Sequence, residues 1–150
     1  MEVVCLNNQG KINIDEQTRA LLEKVALHAS TRGAIAGELT ISLVDDEQIA
    51  ELHQRYKGIS GPTDVLAFTT RETGGDEPPV RHDIPDLHDV VISVETASRQ
   101  AEEYGHSLAI ELAILVAHGV LHIIGYDDAD EYDRERMNRE QDAILREAGL

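Results

Sequence analysis

An apolar segment interrupted by two histidines constrains this chain most. In LAIELAILVAHGVLHIIGYDD, residues 108–128, most positions before Gly125 are apolar. A helix that is apolar on nearly all sides has to be buried by the rest of the fold. We therefore predict a central buried helix that is capped at its start by Ser107 and ends at Gly125.

The two histidines of this helix have the spacing of metal ligands. His118 and His122 lie four residues apart, so both rings leave the same helical face and can converge on one ion. Each imidazole would cost about 1–3 kcal/mol if it were buried without a partner, and a shared cation removes both penalties. Gly125 can turn the chain back toward that face, and Asp128 follows. This is the pattern of the H-x-x-x-H-x-x-G-x-x-H metal helices, with aspartate in the last place, and it predicts a metal on His118, His122 and Asp128.

These residues also have ordinary structural interpretations. A single histidine on an apolar face is usually a hydrogen-bonded core residue, and Asp128 with Glu131 has the spacing of a capping pair for the next helix. The only cysteine is Cys5, which excludes an internal disulfide and a cysteine-based zinc site. Any metal must therefore be held by His, Asp or Glu.

The predicted metal would support hydrolysis. An ion with three protein ligands can lower the pKa of a water molecule from about 15.7 toward about 7. Gly119 stands where a metalloprotease helix has its glutamate base. Phosphodiester hydrolysis depends less on such a base, and the sequence therefore favours it over peptide hydrolysis.

The remaining segments predict one α+β domain over residues 1–150. Alternating or β-branched stretches predict strands at 2–6, 37–45, 63–70 and 89–94, with 63–70 near a sheet edge. Helical spacing predicts helices after Asp15, after Asp45 or Asp46, at 95–105 and at 130–148. Residues 71–86 contain two glycines and three of the four prolines, which predicts a long loop.

Charge and hydropathy restrict the partners. The formal net charge is −16, which repels phosphate backbones at long range and gives no support to non-specific nucleic-acid binding, so no DNA partner is expected. A polyanion would have to bind through a local basic patch or through a bound cation. No apolar run reaches the roughly 20 residues of a membrane span, and the first residues lack a signal-peptide core. We expect a soluble cytoplasmic protein without a membrane partner.

Three blocks of the chain, in the same order, match motifs of a known family. HGVLHIIGYDD at 118–128 is similar to H-G-x-L-H-L-x-G-Y-D-H, PTDVLAF at 62–68 to P-T-D-V-L-S-F, and DVVIS at 89–93 to G-D-I-V-I-S. The chain thereby resembles the YbeY-type bacterial endoribonucleases, also called ribosomal RNA maturation factors. The resemblance covers nearly the whole chain.

This resemblance implies both an activity and a fold. It implies a metal-dependent endoribonuclease, usually with one zinc ion on three histidines, that cleaves single-stranded RNA. It also implies association with the small ribosomal subunit, and roles in 16S rRNA maturation and ribosome quality control. The implied fold is a small mixed β-sheet packed with helices around a central buried metal-binding helix, in a zincin-like arrangement.

Two departures from the family motifs affect the site. Asp128 replaces the third histidine; a carboxylate lowers the formal charge of the centre by one and should weaken its Lewis acidity. Two histidines with one carboxylate also suit Fe(II), so a divalent metal other than zinc is compatible. Lys57 replaces an arginine that, in the family, is thought to hold substrate phosphate, so Lys57 is the predicted catalytic residue. Lysine keeps the positive charge but lacks the bidentate fork of arginine. The alternative role for Lys57 is that of a solvated surface lysine.

Two alternatives stay open at this point. The chain is either an active nuclease or a ribosome-associated assembly factor whose altered metal site is structural or vestigial. Three further polar residues have predicted roles outside the ligand set. Glu111, roughly 10 Å along the helix from His118 and too far for ligation, is predicted to be a buried hydrogen-bonding residue or one that supports a metal ligand. His88 is predicted to be a strand histidine, and Asp64 a residue that holds the loop before its strand.

Overall fold

The computed structural model describes residues 1–70 and 86–150. Its elements are β1 (Glu2–Asn7), α1 (Glu16–Ser30), β2 (Glu38–Val44), α2 (Asp46–Lys57), β3 (Val65–Thr69), β4 (Leu87–Ser93), α3 (Val94–Tyr104), α4 (Leu108–Ile124) and α5 (Glu131–Glu147). The predicted α+β class is confirmed. The loop predicted for 71–86 lies outside the described residues, apart from Asp86.

The four strands form one mixed sheet in the order β1-β2-β4-β3. β1, β2 and β4 are parallel neighbours, whereas β3 runs antiparallel to β4. Parallel neighbours need crossover connections, and α1 supplies the one between β1 and β2. β3 lies at an edge, as its sequence predicted.

β4 differs from its predicted bounds at both ends. It begins at Leu87 rather than at residue 89, because its first residues pair with the end of β3, where His88 lies opposite Thr69. It ends at Ser93, whose hydroxyl accepts a hydrogen bond from the backbone N–H of Thr96 and so caps α3. Neither pairing nor capping was visible in the apolar pattern alone.

α4 is the central buried helix of the fold. It packs against α1, α3 and α5 as well as β3 and β4, and residues along its length, such as Leu112, Val116 and Val120, are fully buried. Within the described ranges, no single helix is long and apolar enough to cross a membrane, and α3 with α4 meets that test only as a pair bent by 113°.

Gly119 sets how closely α4 approaches the sheet. A Cβ at this position would lie 2.8 Å from a methyl carbon of Val90 on β4 and 3.4 Å from one of Val65 on β3. A larger side chain would push the helix away from the strands. The position directly after His118 therefore faces the sheet and has no room for a glutamate side chain.

Both predicted ends of α4 are confirmed. The Ser107 hydroxyl accepts from the backbone N–H of Ile110 at 3.2 Å. At the other end Gly125 has φ +120°, a conformation that glycine adopts without strain, and the backbone N–H of Tyr126 donates back to the Leu121 carbonyl at 2.9 Å. This turn directs residues 126–128 back toward the face of the helix that carries the histidines.

Candidate metal centre

The two histidines of α4 form the centre of the candidate site. The Nε2 atoms of His118 and His122 lie 3.0 Å apart, and the half-buried rings are nearly perpendicular, at 77°. Two nitrogens bound to one tetrahedral zinc ion at about 2.0–2.1 Å are separated by about 3.3 Å. The pair therefore fits a shared divalent ion after a small adjustment.

Asp128 completes a group of three possible ligands. One ligand atom from each of His118, His122 and Asp128 lies within 4.8 Å of the others, so this group could hold a metal ion. The alternative role of Asp128, as a cap paired with Glu131, is wrong. The residue that caps α5 is Asp130, whose carboxylate accepts from the backbone N–H of Asp133, the third residue of the helix. The Asp128 carboxylate is therefore not used to start α5.

The electrostatic surroundings favour the ligating form of His118. Burial lowers the pKa of His118 below its usual value, and nearby His122 lowers it further. The carboxylates of Asp64 and Asp128 act in the opposite direction without reversing the shift. His118 is therefore a neutral imidazole near pH 7, which is the form that binds a metal.

A cavity of about 180 Å³ opens beside His118, between α3, α4, α5 and the start of β3. The lining residues with polar groups are Asp64, Gln100, Tyr104, Glu111, His118, Asn138 and Gln141. Glu111 is buried and accepts a 2.6 Å hydrogen bond from the ring of His106, which confirms its predicted hydrogen-bonding role. A larger cavity of about 440 Å³ lies along β1 and β2, but its lining contains no histidine. The cavity beside α4 is the one of the two that has an imidazole able to bind a metal.

Asp64 and His88 have the structural roles predicted for them. One carboxylate oxygen of Asp64 accepts from the backbone N–H that begins β3, and the other accepts from Gln100. His88 is buried, and its Nε2 donates to the backbone carbonyl of Ala36 while its Nδ1 lies 2.8 Å from the Thr69 hydroxyl. Asp64 additionally lines the cavity beside the candidate ligand His118, a position the sequence did not indicate.

Sequence reasoning missed the contribution of α5. Asn138 and Gln141 line the cavity, although α5 reads as a charged surface helix. A signal was present, because Gln141 lies four residues after Met137 and three before Ile144, the two buried residues of this helix. A polar residue inside an apolar stripe marks a position that faces the interior.

Lys57 lies apart from this group. It is the exposed last residue of α2 and precedes Gly58, which ends the helix in a left-handed conformation. The ring of the adjacent Tyr56 packs against Phe68 of β3, with ring centroids 5.3 Å apart. This contact joins the end of α2 to the edge strand of the sheet. Among the described residues, Lys57 belongs neither to the ligand group nor to the cavity lining. Its catalytic role stays a prediction.

Comparisons with known proteins identify the family. A family model described as Endoribonuclease YbeY matches residues 4–149. The chain belongs to the endoribonuclease YbeY family. It is 44% identical to the endoribonuclease YbeY of Moorella thermoacetica, with 100% of this chain and 99% of that protein covered. It is 45% identical to the endoribonuclease YbeY of Desulfitobacterium hafniense, with 83% of this chain and 80% of that protein covered.

A solved structure shows the same fold. The solution structure of TM1509 from Thermotoga maritima superposes with a TM-score of 0.62 at 22% identity, covering 97% of this chain and 88% of that one. The sheet and helices around α4 are therefore those of a known architecture. The family predicted from the three sequence motifs is confirmed by the family model and the two relatives.

Proposed function

We propose that residues 1–150 form a single metal-dependent endoribonuclease domain that cleaves single-stranded RNA. Its role would be the maturation of 16S rRNA ends and ribosome quality control, in the cytoplasm and in association with the small ribosomal subunit. The observation that carries this proposal is the convergence of His118, His122 and Asp128 within 4.8 Å in a chain of the endoribonuclease YbeY family.

The donor set suits one zinc ion per chain. Two neutral imidazole nitrogens and one carboxylate oxygen are a common zinc ligand set, and they also suit another divalent metal such as Fe(II). When bound, the ion would supply Lewis acidity and a source of hydroxide at neutral pH. Burial lowers the pKa of His118 and so favours its neutral form, whereas the exposed Asp128 carboxylate supplies the negative charge that attracts the cation.

Two other features of the chain favour a phosphodiester substrate. A glutamate base has no room at Gly119, since even a Cβ there would approach Val90 at 2.8 Å. Peptide hydrolysis therefore lacks its usual base. Lys57 would contribute a positive point charge to one phosphate of the substrate from the end of α2.

A second candidate function follows from Asp128 and from the net charge of −16. Both features weaken catalysis on a polyanion and are compatible with a ribosome-associated assembly factor whose metal is structural. In that case, removal of the metal would lower the melting temperature, leave binding to the small ribosomal subunit intact and reveal no cleavage of single-stranded RNA above background.

Metal removal tests the proposed function. Protein treated with a chelator should lose cleavage of a single-stranded RNA oligonucleotide and regain it with added zinc. His118→Ala and His122→Ala should lose both the bound zinc, measured by elemental analysis, and the cleavage. His28→Ala is the matched control, because His28 lies on α1 beside Glu147 and outside the ligand group. It should keep both.

The controls separate the enzyme from impurities. Full cleavage in the His118→Ala protein would assign the activity to a contaminating nuclease. Stoichiometric zinc without cleavage, combined with intact binding to the small subunit, would instead support the assembly factor.

A further inference from the structure

The side-chain oxygen of Gln141 is buried without a partner. Gln141 lies on the inner stripe of α5, and its Oε1 has no hydrogen-bond partner among the described residues. Buried polar atoms without partners are rare in folded proteins, and each calls for a physical explanation. Here the explanation lies in the neighbouring residue of the same cavity, His118.

The ring of His118 has two nitrogens with different surroundings. Its Nε2 lies 3.0 Å from Nε2 of His122, so a proton on one of these atoms bridges the pair in the metal-free protein. If His118 and His122 held an ion through these atoms, the ion would take the place of that proton. A neutral His118 would then carry its proton on Nδ1, which would need an acceptor.

The two carboxylates of the cavity lining already accept hydrogen bonds. Glu111 accepts from His106, and the two carboxylate oxygens of Asp64 accept from a backbone N–H and from Gln100. Gln141 is the acceptor in this lining whose oxygen is both buried and unpaired.

We propose that Gln141 is a positioning residue that accepts a hydrogen bond from the Nδ1–H of metal-bound His118 and so holds Nε2 toward the ion. This inference rests on the proposed metal site. Histidine ligands usually donate their second ring N–H to an oxygen, and loss of that partner typically weakens metal binding about 10–100-fold. As a neutral amide, Gln141 fixes the ring without adding a second negative charge to the one from Asp128.

Zinc affinity tests this role without depending on nuclease activity. The dissociation constant is measured by competition with a chromophoric chelator for the full chain and for Gln141→Leu, Gln141→Glu and Asn138→Ala. Gln141→Leu should raise the zinc dissociation constant about 10–100-fold. Gln141→Glu keeps an acceptor and should bind zinc at least as tightly as the unmodified protein. Asn138→Ala, an exposed position in the same lining, should change the constant less than about threefold.

Thermal stability of the metal-free proteins excludes a packing role. Because Gln141→Leu removes an unpartnered buried oxygen, its metal-free melting temperature should equal or exceed that of the unmodified protein. A residue that only packs would lower it. Unchanged zinc affinity in Gln141→Leu, or no recovery in Gln141→Glu, overturns the role of Gln141 and leaves the metal site intact. An unmodified protein that binds no zinc overturns both.

Discussion

Asp128 exchanges a neutral nitrogen donor for a charged oxygen donor in the candidate centre. The carboxylate attracts the cation but lowers the formal charge of the loaded site by one, which weakens its polarising power. Asp128 is exposed and follows the Gly125 turn, whereas the two histidines are half-buried on α4. The third ligand can therefore be changed without disturbing the core.

Asp128→His should increase RNA cleavage. Restoring a third imidazole removes the extra negative charge, and we expect the single-turnover rate at saturating zinc to rise about tenfold, which corresponds to about 1.4 kcal/mol in the barrier. The control is Asp142→His, which makes the same substitution at an exposed position of α5 outside the ligand group. Equal rates for both variants and the unmodified protein would favour the assembly factor over the enzyme.

At the scale of elements, the helix ends that depend on neighbouring residues were predicted correctly from the sequence. Ser107 and Gly125 marked both ends of α4 because capping and positive φ are set by adjacent residues. The start of β4 and the position of Gln141 were missed, because each depends on residues distant in the chain. The pairing of β4 with β3 forms only when the chain folds. The same is true of the packing of α5 on α4.

The contact between α4 and the sheet predicts the effect of Gly119→Val. A valine would drive its branched side chain into Val90, and we expect the free energy of unfolding to fall by about 1–3 kcal/mol. Urea denaturation of the metal-free protein measures the change. Ala109→Val, near the half-exposed start of the same helix, controls for the helix propensity of valine and should change stability by less than about 1 kcal/mol. Equal losses in both variants would show that the close approach at Gly119 does not limit packing.

On the scale of the whole molecule, the net charge limits how the protein can bind RNA. The net charge of −16 was evident from the sequence, and the structure adds the position of the group that could hold a cation. Most proteins that bind RNA through its backbone use many cationic contacts, each of which releases counterions. Here the metal and Lys57 would provide the main attraction, so binding would depend on few phosphates.

Few phosphate contacts predict a weak dependence of cleavage on salt. For single strands, each contact contributes a slope of about −0.7 in log affinity against log salt, so one contact through Lys57 lowers kcat/KM about threefold between 50 and 200 mM salt. Screening of the repulsion between the acidic protein and RNA acts in the opposite direction and reduces this fall. Lys57→Ala should flatten the dependence, whereas Lys24→Ala on α1 should leave the slope unchanged. A fall of more than tenfold would require several cationic contacts and would assign the binding of RNA to a surface other than the end of α2.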